Sequence, residues 1–247
     1  MKIGNKKTRF IKILSIILII LIILAVIMSI TYYINTTNEK TLGKNDLGDV
    51  SLKGPYGNMD STDKIAFIIG VHPLESNSHI SLLNNIQNNS KYLNKSYYIY
   101  IVNVTKDRNV FNASRMNGQL LARDYVVPDI KNKNYSFVVD IHSHQGVYIE
   151  KNFIISPLND EKSKEIGLDT IKNIENMKIL KFIPADDGDP TSPEYVSIPI
   201  LKSGTPTIIY ETYLYESENT TNNFMIKFIK NLDNIDFKNF EKSYKNG

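Results

Sequence analysis

The stretch "KIAFIIGVHPLESNSHISLLNNIQNN", residues 64–89, changes character twice. Residues 64–71 form a short apolar run bounded by turn residues, the pattern of a buried strand. From residue 78 onward the spacing is helical and places Ile80, Leu83 and Ile86 on one face, with Ser76 as the expected N-cap. Between the two lies a turn that holds His72, Pro73 and Glu75, and His79 follows one helical turn later. A strand that passes through a turn into a helix is the repeating unit of an α/β fold.

The unit recurs downstream. "YYIYIVNV" (97–104) reads as a second strand, and "ASRMNGQLLARDYV" (113–126) as a helix with Met116, Leu120 and Leu121 inward, stopped before Pro128. "YSFVVDI" (135–141) is a third strand. Strand-like "VYIEKNFIIS" (147–156), a helix over about 161–175 and "KILKFI" (178–183) come next. After the loop "PADDGDPTSPE" (184–194), "TPTIIYET" (205–212) is a late strand and "NNFMIKFIKNLDNI" (222–235) a closing amphipathic helix. Strands alternating with helices predict an α/β domain over 64–247, with a mostly parallel twisted sheet flanked by helices and right-handed crossovers.

Upstream the chain is of a different kind. Residues 13–34, "ILSIILIILIILAVIMSITYYI", carry no charge. As a helix they would extend roughly 33 Å, enough for a bilayer core. Tyr32 and Tyr33 fall where an interfacial aromatic belt would be. A cleaved signal peptide would have a shorter apolar core and a small-residue cleavage site, so the expectation is an uncleaved single-pass anchor. Residues 1–12 hold Lys2, Lys6, Lys7, Arg9 and Lys12 and no acid, which places this tail in the cytoplasm and the rest of the chain outside. Residues 35–63 show neither period and are expected to be a flexible linker. N-x-S/T sequons at Asn35, Asn88, Asn94, Asn103, Asn112, Asn134 and Asn219 agree with an extracellular glycoprotein at the cell surface.

Composition narrows the chemistry. The net charge of +3 resides in the basic tail, and the remainder has no basic stripe with interleaved aromatics to support nucleic-acid binding. Cysteine is absent, which removes disulfides, thiolate metal sites and cysteine nucleophiles. Imidazole and carboxylate remain as metal ligands. All four histidines, His72, His79, His142 and His144, follow just behind two predicted strands, in "GVHPLE", "NSH" and "DIHSHQG". In open α/β sheets, ligands sit beyond the carboxyl ends of the strands. His72 and Glu75 in H-x-x-E spacing on a turn can face one point. A third nitrogen from another strand would complete a His₂Glu set with one position left for water, the open arrangement of a catalytic zinc site. Glu211, ending the late strand in "IIYETY", is placed to act as general base. His79 could share a helix face with Glu75, and Asp140 could orient a ligand. Asp186, Asp187 and Asp189 form an acidic loop without the spacing of a calcium site.

"GVHPLE", "DIHSHQG" and "IIYETY", in this order and strand context, resemble zinc carboxypeptidases of the carboxypeptidase A-like superfamily, which includes the succinylglutamate desuccinylase/aspartoacylase branch. The resemblance covers most of residues 64–215. It implies a Zn2+-dependent hydrolase of peptide or amide bonds, with His72, Glu75 and His142 as metal ligands and Glu211 as the catalytic glutamate. An arginine would hold the substrate carboxylate. In place of the family's Asn-Arg pair, "TKDRNVFNASRMNG" offers Arg108 with Asn109 in reversed order, and Arg115 with Asn117. His144 would line the cleft, and Tyr195 is the candidate for the tyrosine that assists some carboxypeptidases. The expected partner is a peptide or N-acyl amino acid, and cell-envelope peptides are the narrower expectation from the outside location. The alternatives are a non-catalytic peptide- or metal-binding module of the same fold and an N-acyl amino acid deacylase. Oligomeric state is not legible.

Overall fold

The computed structural model describes residues 3–37, 39–184, 191–238 and 240; the acidic loop of Asp186, Asp187 and Asp189 lies outside them. The chain divides into two units, Met1–Glu39 and Lys40–Gly247. The first is a single helix, α1 (Ile3–Thr37). Its stretch Phe10–Ser29 has mean hydropathy 3.3 and is long and apolar enough to cross a membrane, a property shared by signal sequences at this position. Ser15 Oγ and Ser29 Oγ donate to the carbonyls of Ile11 and Ala25 one turn back. The only hydroxyls among the side chains described in this helix are therefore satisfied internally, as a lipid surrounding would demand.

The second unit is built on one sheet. Its strands are β1 (Glu39–Asn45), β2 (Gly48–Gly57), β3 (Lys64–Ile69), β4 (Ser96–Val104), β5 (Phe137–His144), β6 (Phe153–Ile155), β7 (Lys178–Leu180) and β8 (Thr207–Tyr213), in the order β1-β2-β4-β3-β5-β8-β6-β7. The central strands β4, β3, β5 and β8 are mutually parallel. β2 joins β4, and β6 joins β8, antiparallel. This is the expected α/β sheet flanked by helices, with mixed flanks.

Those flanks correct the linker. Residues 35–63 were expected to be flexible, yet Glu39–Gly57 supplies β1 and β2. β2 pairs with β4 from Gly48↔Val104 to Gly57↔Ser96. The sequence hid this because Val50, Leu52 and Tyr56, the apolar residues of β2, are set among Gly, Lys, Ser and Pro. Those three side chains are buried against the sheet's neighbours. The compact unit therefore begins at Lys40 rather than 64.

Alternation along the strands divides the core in two. Ile65, Phe67 and Ile69 of β3 and Phe137, Val139 and Ile141 of β5 face α2 (Ser76–Asn89), α5 (Glu161–Ile171) and α8 (Glu218–Asp233), through Leu82, Ile86, Ile166, Met225 and Phe228. Ala66, Ile68 and Val138 face the other way, toward α3 (Phe111–Leu121), α4 (Val127–Lys131), α6 (Ser192–Tyr195) and α7 (Ser197–Leu201), through Leu121, Val127, Ile130 and Ile200. β3 and β5 are covered on both faces, which is why they read as continuous apolar runs.

Two local expectations change. In α2, Leu82 and Ile86 point inward whereas Ile80 is 56% exposed, because Ser78 and His79 take the inner face next to the sheet. The helix after β4 does not stop at Pro128. A π-helical segment (Ala122–Val126) continues α3, with Val127 N donating to Ala122 O, and leads without a break into α4, which carries Pro128.

Candidate metal centre

β3 ends in a turn at Gly70, whose φ of +83° suits glycine. A Cβ there would sit 2.2 Å from the Val102 carbonyl oxygen of β4. The chain then doubles back, with Glu75 N donating to His72 O at 3.1 Å. This tight turn gives the H-x-x-E spacing its meaning: His72 Nδ1 lies 2.9 Å from Glu75 Oε1. Glu75, not Ser76, is the residue that caps α2 by position, and its side chain makes no capping bond. Its carboxylate is turned to the site instead.

The third group comes from β5. His142 Nδ1 lies 2.9 Å from His72 Nδ1 and 3.1 Å from Glu75 Oε2. Ser143 N donates to Glu75 Oε2 at 3.0 Å. All three side chains are buried, and one ligand atom from each lies within 4.8 Å of the others. Two imidazole nitrogens facing each other beside a carboxylate, out of water, form a donor set that fits a divalent cation. Burial leads in lowering His72 to about 4, with Glu75 opposing and His142 and Arg115 adding to the fall. Burial also opposes charge on Glu75 and His142. His72 nonetheless leads in holding Glu75 well below the carboxylate range, and Asp140 leads in holding His142 well above the usual histidine value.

Asp140 is fully buried on the same strand. Its Oδ1 is 3.0 Å from His142 Nε2, and its Oδ2 accepts from Ser197 Oγ at 3.0 Å. This arrangement turns His142 Nδ1 toward Glu75, as a carboxylate behind the far nitrogen of a metal-binding imidazole commonly does.

Glu211 stands next to His142, since β5 and β8 pair with His142↔Glu211 in register. Its Oε2 is buried and has no hydrogen-bond partner. Desolvation raises its pKa to about 8, with Glu75 and Asp140 adding and His142 and Arg115 opposing. A carboxyl whose folded pKa exceeds its unfolded value favours folding below the unfolded pKa and loses that contribution as pH rises through the folded one. In chelator-treated protein, wild type should therefore lose melting temperature relative to Glu211→Gln between pH 5 and 8.5. Parallel melting curves across that range would show that Glu211 is not desolvated.

The remaining candidates separate. Arg115, in α3, donates from Nη1 to Glu75 Oε1 at 2.6 Å. Arg108 donates to the Val104 carbonyl and lines neither of the cavities described below. His144 uses both ring nitrogens locally, Nε2 on Lys151 O and Nδ1 accepting from Gly146 N. It is buried and lines the cleft without turning a nitrogen to the ligand cluster. Tyr195 packs on the α4–α7 side of the core and lines neither cavity. His79 is buried, with Nε2 3.0 Å from Ile141 O, which ties α2 to β5 beside the ligands.

Two cavities, of about 410 and 350 Å³, meet at the site and share His72, Arg115, Tyr148 and Glu211. The larger has an apolar wall of Ile149, Ile155, Leu180, Phe182, Ile183 and Ile209. Tyr148, absent from the sequence reading, is the aromatic residue common to both. Its ring lies 5.0 Å from His144 and 4.8 Å from Phe153. Gln119, also missed, reaches His72 from α3. Neither carried a sequence signal, since each lies on a segment whose path past the site depends on tertiary packing.

The fold is that of metallo-carboxypeptidases. The chain superposes on a metallo-carboxypeptidase from Burkholderia cenocepacia with a TM-score of 0.53 and 10% identity, covering 83% of this chain and 65% of that one. A putative carboxypeptidase A from Shewanella denitrificans gives 0.50 and 15% identity over 83% of this chain and 64% of that one. A metallo-carboxypeptidase from Pseudomonas aeruginosa, in complex with (2-guanidinoethylmercapto)succinic acid, gives 0.51 and 12% identity over 79% of this chain and 64% of that one. The chain thus spans less than two thirds of the length of these structures. No protein-family model matches the sequence. No curated protein matches it either.

Proposed function

We propose that the chain is a zinc-dependent hydrolase of peptide or N-acyl amide bonds, carboxypeptidase-like in its chemistry. The observation that carries this reading is the convergence of His72, Glu75 and His142 beside Glu211, at the junction of two cavities. Zinc held by the two Nδ1 atoms and Glu75 would supply Lewis acidity toward water and the scissile carbonyl. Glu211 would take a proton from the attacking water and return it to the leaving amine. Arg115, at the rim of both cavities, would face substrate carbonyl or carboxylate oxygen. Tyr148 would border the substrate where the cavities meet. The apolar wall of the larger cavity suits an apolar side chain or acyl group next to the cleaved bond.

The setting is part of the same proposal. The apolar span at Phe10–Ser29, preceded by basic residues, supports a single-pass anchor with the catalytic unit outside the cytoplasm, where cell-envelope peptides are within reach. Full-length protein in detergent is the material for the assay. A panel of peptides and N-acyl amino acids should show hydrolysis that favours apolar residues at the cleaved bond, stops with chelator and returns with zinc. Turnover unaffected by chelator would end the metal reading.

A second reading is a peptide- or metal-binding module without turnover. The Arg115–Glu75 pair favours it, because a guanidinium held on a ligand carboxylate at 2.6 Å is less free to take a substrate carboxylate. Stoichiometric zinc with no hydrolysis across the panel would select it.

A further inference from the structure

Gln119 lies at the far side of His72 from the ligand cluster, and α3 is pressed into place to bring it there. A Cβ on Gly118 would sit 1.9 Å from the Val71 carbonyl oxygen, so only glycine lets the helix lie this close to the residue before His72. The next side chain, Gln119, is 5% exposed and reaches His72 Nε2 with its amide, Nε2 to Nε2 at 3.3 Å. Its Oε1 is buried and has no hydrogen-bond partner.

A half-turn of the amide brings Oε1 to His72 Nε2, since oxygen and nitrogen occupy equivalent positions about the last side-chain bond. His72 turns Nδ1 to Glu75 and His142. An imidazole that gives its Nδ1 lone pair to a cation carries its proton on Nε2 and needs an acceptor there. The buried oxygen of Gln119 is that acceptor. With the opposite amide orientation, the NH₂ group would donate to Nε2 and force the proton onto Nδ1, where it would block the site. The two histidines are thus held alike at Nε2 but by different groups, His142 by the Asp140 carboxylate and His72 by a neutral amide.

We propose that Gln119 is a positioning residue that accepts the Nε2 proton of His72 and fixes the tautomer required for metal binding. The proposal rests on the metal-site reading above. With only four histidines in the chain, nitrogen-15 spectra of histidine-labelled full-length protein can assign each ring. Zinc-loaded wild type should show His72 protonated at Nε2. Zinc affinity, measured by chelator competition, should fall about 10–100-fold in Gln119→Leu and stay within a few-fold of wild type in Gln119→Glu, which keeps an acceptor oxygen. Equal zinc affinity in Gln119→Leu, or a His72 proton on Nδ1 in zinc-loaded wild type, would overturn the proposal. If Gln119→Leu does not fold, metal-free wild type decides the matter: His72 should carry its proton on Nε2 there as well, and a proton on Nδ1 would overturn the proposal. Wild type that binds no zinc would overturn both this inference and the reading beneath it, whereas zinc bound equally by wild type and Gln119→Leu would overturn this inference alone.

Discussion

Glu211→Gln should lower hydrolysis by about 10²–10⁴-fold, the range for losing a general base, with zinc content unchanged. The substitution keeps shape and removes only the ability to take a proton. Glu211 is held by strand register, not by a flexible loop: β8 pairs with β5 so that Glu211 lies beside His142. It does not belong to the ligand cluster of His72, Glu75 and His142, so the amide should leave metal binding intact. Glu211 lines both cavities, where a water or substrate proton could be met. The expected signature is a collapse of kcat with little change in KM, since apolar contact in the larger cavity is untouched. A Glu211→Gln protein with zinc and full activity would remove Glu211 from the mechanism and leave only metal chemistry to explain turnover.

The residues that decide this site were legible where chemistry and strand period coincide. His72 and Glu75 stand on a turn whose spacing aims both at one point, and His142 and Glu211 end strands that were visible as apolar runs. The adjacency of β5 and β8 is a matter of topology, and the motifs placed their ends only at one edge of the sheet. What stayed hidden depends on packing. β2 has strand pairing from Gly48 to Gly57, yet its sequence alternates weakly because the register shifts between Lys53 and Tyr56, which sends Val50 and Leu52 to one core cluster and Tyr56 to the other. A soluble form cut at residue 60 would remove β2 and leave the edge of β4 bare, so any shortened form should retain Lys40 onward. Gln119 and Tyr148 have ordinary neighbours in sequence and acquire meaning only when α3 and the segment after β5 are laid against His72. Arg108 and Arg115 looked equivalent in sequence. Arg108, in the turn before α3, sits on a backbone carbonyl, whereas Arg115, within α3, sits on the Glu75 carboxylate.

His142→Ala should reduce bound zinc to background, and it should also weaken the chelator-treated protein. The first effect follows from the ligand count. Without His142, His72 and Glu75 are two neighbouring ligands on one turn, and no other histidine can take the place. His79 is committed to the Ile141 carbonyl, and His144 to Lys151 O and Gly146 N. The second effect separates His142 from a ligand that is idle without metal. Asp140 is fully buried, and its Oδ1 has the His142 imidazole at 3.0 Å while Ser197 serves only Oδ2. Removing the ring leaves a buried carboxylate half-compensated, a situation that costs about 3–5 kcal/mol when a buried pair is broken. Adding Asp140→Asn to His142→Ala should restore much of that stability while zinc stays absent, because the amide has no charge to bury. His144→Ala is the matched control, a buried histidine two residues on along the same strand, and should keep full zinc. If His142→Ala retained zinc, or if His144→Ala lost it, the ligand set would have to be redrawn around the other histidine of β5.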